Sequence, residues 1–109
     1  MPRWIEVGAT ADFPAGEKKC VNAGDLSAVV CNVDGRLCAV VNICPHAGLP
    51  VGDGDFTGSV LTCPYHGYTF DVTSGRNIDL DSDPPLTTLA VRVTDDQRVE
   101  IDVDEKEAE

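Results

Sequence analysis

Apolar positions in this chain fall in short runs, and no window of ten or more residues carries a helical period. The runs are rich in β-branched residues and are broken by Gly, Pro, Asn and Asp, the pattern of strands joined by turns. Residues 4–7 predict a first strand, and residues 18–21 a second after the Pro14-Ala15-Gly16 turn. Residues 26–32 and 36–41 flank Val33-Asp34-Gly35, an Asp-Gly hairpin signal. Residues 60–62 predict a short strand. Residues 68–72 and 76–78 flank Thr73-Ser74-Gly75, predicting a second hairpin, and residues 89–93 and 98–103 flank Thr94-Asp95-Asp96-Gln97, predicting a third. Strands at this spacing predict an all-β fold, an antiparallel sandwich or barrel.

Two stretches interrupt the strand rhythm, residues 42–59 and 79–85. Long irregular loops in a small domain usually carry function. Gly52-Asp53-Gly54 with Gly58, in the first stretch, lacks the Lys and the following helix of a phosphate loop and reads as a flexible turn. Trp4 reads as a core anchor.

At 109 residues the natural expectation is one domain with a modest core. It is expected over residues 1–103, with an acidic tail at 104–109. The longest apolar run, residues 37–41, is far short of the roughly 20 residues of a membrane-spanning helix. The opening Met1-Pro2-Arg3-Trp4-Ile5-Glu6 has no basic segment leading into an apolar one, so a cytoplasmic location is expected. Eight Lys and Arg stand against nineteen Asp and Glu, a formal charge of −11. Such a surface repels nucleic acid and anionic membranes and attracts basic protein patches. Five cysteines, an odd number without an export signal, argue against a disulfide framework and toward metal binding.

The cysteines and histidines supply the candidate chemistry. Cys44-Pro45-His46 is followed, after sixteen residues, by Cys63-Pro64-Tyr65-His66. Each segment offers one thiol and one imidazole, and each continues to a glycine, Gly48 and Gly67. Proline fixes φ and glycine permits a sharp turn, so such loops can aim two side chains at one point. The chain's two histidines are both in these segments. Two thiolates and two neutral imidazoles suit zinc, or a two-iron cluster with two Cys on one iron and two His on the other. Zinc sites usually group a Cys pair and a His pair, whereas here each loop mixes the two types. The remaining cysteines, Cys20, Cys31 and Cys38, fall in predicted strands and read as small buried hydrophobes.

Cys44-x-His46 with Cys63-x-x-His66 at this separation resembles the Rieske [2Fe–2S] signature. Nearly the whole chain also resembles the Rieske-type ferredoxins that serve aromatic-ring dioxygenases. The supporting features are the opening strand, the Asp34-Gly35 hairpin before the first ligand loop, Gly67, Phe70-Asp71 with Ser74-Gly75, and Pro84-Pro85-Leu86. The resemblance implies one cluster per chain, with Cys44 and Cys63 on the inner iron and His46 and His66 on the outer. The loops at about 43–48 and 63–68 would form a small cluster-binding subdomain at one end of the fold, with Pro84-Pro85 closing over it.

The resemblance further implies an electron carrier rather than an enzyme, and a monomer is the default expectation. A flavoprotein reductase would supply electrons from NAD(P)H, and a terminal oxygenase or another acceptor, such as a nitrite reductase system, would receive them. A terminal oxygenase needs two more histidines and a carboxylate for a mononuclear iron, and no histidine remains here. Rieske proteins of respiratory complexes join their cluster loops by a disulfide and aim serine and tyrosine hydroxyls at the cluster sulfurs. The corresponding positions here are Leu49 with Tyr65, and Tyr68 with Phe70. Phe70 has no hydroxyl, and sequence alone does not say whether that of Tyr68 reaches a sulfur; with at least one donor fewer to stabilise the added electron, a potential low in the Rieske range is expected. From a different class, a zinc-stabilised interaction module without redox activity would use the same four residues.

Overall fold

The computed structural model describes residues 3–44, 50–64, 67–78 and 85–106, with the backbone alone for 104–106. Nine strands are described: β1 Trp4–Ala9, β2 Lys18–Ala23, β3 Leu26–Val33, β4 Arg36–Val41, β5 Phe56–Thr57, β6 Val60–Thr62, β7 Thr69–Asp71, β8 Thr88–Val93 and β9 Arg98–Lys106. A single 3₁₀ turn, Thr10–Asp12, follows β1. Six strands form one antiparallel sheet in the order β1-β9-β8-β4-β3-β2, and β5-β6-β7 form a second. The edge strands β1 and β2 approach each other, so the larger sheet curls toward a barrel.

The β3–β4 hairpin is the one its turn residues predict. Asp34 and Gly35 both take positive φ, 53° and 95°, as a two-residue type I′ turn requires. Its register pairs Val33 with Arg36, Cys31 with Cys38 and Ala28 with Val41. That register explains why β3 and β4 read as continuous apolar runs rather than alternating ones. Ala28, Val30, Ala39 and Val41 face the curled interior with Phe13, Leu89, Val99 and Ile101. Val29, Cys31, Cys38 and Val40 face the other way, against Leu61 and Phe70 of the smaller sheet and Val72 just beyond it. Strands covered on both sides have no solvent face to mark with polar residues.

Several elements depart from the sequence expectation. Residues 76–78 make only an isolated bridge, Asn77 to Phe70, where a strand was expected. β5 lies inside the stretch expected to be irregular. It is two residues long, too short to show alternation. β9 runs on to Lys106, three residues past its expected end. Trp4 is half-buried rather than a core anchor, and the Arg92 guanidinium lies 4.2 Å from its ring centre while also pairing with Glu100 at 2.6 Å.

Candidate metal centre

β4 ends at Val41, and the chain then turns through Asn42 and Ile43 to Cys44. β6 ends at Thr62, and Cys63 follows at once. The two cysteines thus leave different sheets and meet where the sheets face each other. Their sulfurs are 2.9 Å apart, well beyond the ~2.05 Å of a disulfide, and both residues are fully buried. Behind them lie Val29, Val51, Leu61 and Phe70 of the shared core.

The Cys63 loop is closed by its own backbone. The Cys63 amide donates to the Tyr68 carbonyl at 2.8 Å, and the Gly67 amide donates to the Cys63 carbonyl at 3.0 Å. Gly67 takes φ 76°, the left-handed conformation expected of a glycine just past the second motif. Tyr68 is partly buried against the same core, and Phe70 is wholly buried. His46 and His66 lie outside the described residues, as do Gly48, Leu49, Tyr65 and Pro84. Among the described residues no three of His, Cys, Asp and Glu converge on one point. The described half of the expected donor set is therefore a pair of buried thiols from two loops, a pairing suited to a soft metal ion.

The turn between the two motifs is not the flexible segment its glycines suggest. Its Gly52 amide donates to Asn42 Oδ1 at 2.7 Å, and its Gly52 carbonyl accepts from Lys18 Nζ at 2.6 Å. A Cβ on Gly52 would meet Cys20 Sγ at 2.4 Å, and one on Gly54 would meet the Thr62 carbonyl oxygen at 1.6 Å. These glycines are selected for space rather than for dihedral freedom, because the backbone of the turn lies directly on β2 and β6. Sequence reading missed Lys18, Asn42 and Gly54. The signal was the close Gly-x-Gly pair, whose packing reason depends on contacts remote in sequence.

The family model for the Rieske [2Fe–2S] domain matches residues 3–91. The chain belongs to the Rieske [2Fe–2S] family. Its cofactor is accordingly the Rieske-type cluster. The ferredoxin component of a naphthalene 1,2-dioxygenase system from Pseudomonas aeruginosa is 30% identical over 101 residues, covering 93% of this chain and 96% of that one. A chain in the complex of reduced oxygenase and oxidized ferredoxin in carbazole 1,9a-dioxygenase superposes with a TM-score of 0.86 at 29% identity, covering 97% of each chain. Cholesterol 7-desaturase of Hemicentrotus pulcherrimus is 37% identical over 79 residues, but this chain spans only 17% of its length. The two buried thiols at the meeting of the sheets fit the Rieske donor set, in which two cysteines share one iron. No helix among the described residues is long and apolar enough to cross a membrane.

The other three cysteines of the Rieske domain divide by environment. Cys31 and Cys38 face each other across β3 and β4 and are buried. Burial, reinforced by the neighbouring Cys38, pushes the Cys31 thiol up from its ordinary 9.0 to about 12. Burial likewise raises Cys38. Cys20 is exposed, contrary to the expectation of a buried strand residue, because β2 is the edge of the large sheet. Thiolates rather than thiols react. An alkylating reagent applied to the folded protein at pH 8 will therefore modify Cys20 and spare Cys31 and Cys38, as read by peptide mass. Equal labelling of all three would contradict the burial of β3 and β4.

Proposed function

We propose that this chain is a soluble, cytoplasmic one-electron carrier, taking electrons from an NAD(P)H-dependent flavoprotein reductase and delivering them to a terminal ring-hydroxylating oxygenase. The observation that carries this reading is a match along nearly the full length of a dioxygenase ferredoxin component, joined to two buried thiols at the meeting of two sheets. We assign Cys44, His46, Cys63 and His66 as the four ligands, within one domain over residues 1–103 followed by an acidic tail at 104–109, of which 104–106 continue β9. When bound, the [2Fe–2S] cluster supplies a group that accepts and releases one electron.

The chain's own residues provide the rest. The Cys44 and Cys63 thiolates anchor the inner side, and the apolar wall of Val29, Val51, Leu61 and Phe70 keeps water from it. His46 and His66, as the other two ligands, would give the electron its way out. No histidine remains for a mononuclear iron, so the chain transfers electrons without turning over a substrate. The charge of −11 steers the carrier toward basic patches on its partners at a salt-dependent rate.

Two measurements test this. Purified protein reduced by NADH through a flavoprotein reductase will show the EPR signal of a reduced Rieske centre; a colourless protein with stoichiometric zinc would end the redox reading. Its potential will lie near about −150 mV, the low end for Rieske centres. Phe70, wholly buried, offers no hydroxyl to stabilise added charge, and the Cys63 and Gly67 amides are already committed to the loop. A value above about +100 mV would refute the donor argument.

A further inference from the structure

Strand register places Lys18 and Cys20 of the edge strand β2 on the metal-centre side of the large sheet. Lys18 is opposite Cys31 and Cys20 is opposite Val29, and Cys31 and Val29 both belong to the core behind Cys44 and Cys63. Directly opposed residues of an antiparallel pair share a face. Lys18 therefore points toward the smaller sheet and its loops, while Lys19 points to the other face, 5.6 Å from the Phe13 ring centre.

The Lys18 ammonium ends on the Gly52 carbonyl at 2.6 Å. Gly52 is also gripped through its amide by Asn42 Oδ1 at 2.7 Å, and the Asn42 side-chain amide donates to Ser27 Oγ at 3.1 Å. Asn42 stands two residues before Cys44. On its far side the turn is tied to the other cysteine. The Gly54 amide donates to the Val51 carbonyl at 3.2 Å, the Thr62 amide donates to the Asp55 carbonyl at 2.9 Å, and Gly54 rests on the carbonyl of Thr62, the residue before Cys63. A bonded path thus runs from the segment entering Cys44, through Gly52 and Gly54, to the residue entering Cys63. Lys18 holds its midpoint from a third strand.

We infer that Lys18, together with Asn42, is a positioning residue for the metal centre: by fixing the 51–54 turn it sets the separation of the two cysteine loops. The inference rests on the cluster assignment above but concerns residues outside the ligand motifs. An ammonium suits the task because a charged donor to a carbonyl makes a stronger hydrogen bond than a neutral one, and the long stem crosses from β2 without crowding the turn.

The test uses the cluster-loaded protein. Lys18→Met keeps the stem and removes the donor. It is expected to release iron to a chelator about tenfold faster than wild type, in line with the loss of a residue that orients metal ligands. It is also expected to broaden the reduced-state EPR lines while leaving the far-UV strand signature unchanged. Lys19→Met makes the same charge change without touching the turn and is expected to behave as wild type. Lys18→Arg keeps a donor and is expected to restore slow release. Release and EPR line shape of K18M matching wild type would overturn the inference, as would K18R failing to rescue or K19M reproducing the defect. If K18M does not accumulate in folded form, Asn42→Ala, which frees the turn from its other side, decides by the same readouts. A wild-type protein that carries no [2Fe–2S] signal would instead refute the cluster assignment itself.

Discussion

Replacing Cys44 or Cys63 with alanine will yield a colourless protein without iron or acid-labile sulfide, whereas Cys20→Ala will keep its full complement. Cys44 and Cys63 are fully buried with their sulfurs 2.9 Å apart, while Cys20 is exposed at the edge of the large sheet. Loss of a residue that merely orients a ligand typically costs 10- to roughly 100-fold in metal affinity. Loss of a ligand itself will exceed that. His46→Ala and His66→Ala are expected to match the cysteine variants, because each of the four residues is proposed as one ligand of a four-donor set. The checks are iron and sulfide content, visible absorption, and EPR of the reduced protein. Full wild-type colour in any of the four variants would remove that residue from the site. Loss of colour in C20A would mean that the distinction between edge and core thiols is wrong.

The second large effect is expected from Gly54→Ala, a change of one methyl group outside every recognised motif. That methyl would sit 1.6 Å from the Thr62 carbonyl oxygen and 2.8 Å from its carbon, and both atoms are backbone. No rotamer change relieves such a clash, so the turn or the β6 end must move, and Cys63 moves with it. Overpacking typically costs 1–3 kcal/mol and sometimes more, and about 3 kcal/mol is expected here. For a domain of this size that corresponds to a fall of about 12 °C or more in Tm. Iron content should fall with it. Gly58→Ala is the comparison, since its added methyl meets nothing within 4 Å and only its φ of +64° opposes the change. That backbone penalty is about 1–2 kcal/mol. Equal Tm and iron content in G54A and wild type would show that the turn does not press on β6.

The glycines illustrate how sequence and structure divide the information. Asp34-Gly35 could be read directly, because a type I′ turn is a local demand on two adjacent dihedrals. Gly52 and Gly54 could not, because what they demand is room for Cys20, Asn42 and the Thr62 carbonyl. Lys18 was likewise invisible as a functional residue. Its role depends on which face of β2 it occupies, and that follows from the pairing of β2 with β3.

The order of residues alone determined the strand class, the hairpin at residues 34–35 and the proposed donor set. Each of these is written in neighbouring positions: short β-branched runs, turn chemistry, and Cys-Pro and His placed a few residues apart. Folding in three dimensions decided which strands are covered on both faces, that Asn77 makes a lone bridge to Phe70 where residues 76–78 were expected to form a strand, and that Trp4 lies under Arg92. It also brought Cys44 and Cys63 together and placed a packed turn between their loops. Those outcomes depend on register and on contacts between distant segments, where backbone meets backbone and no local pattern records the encounter.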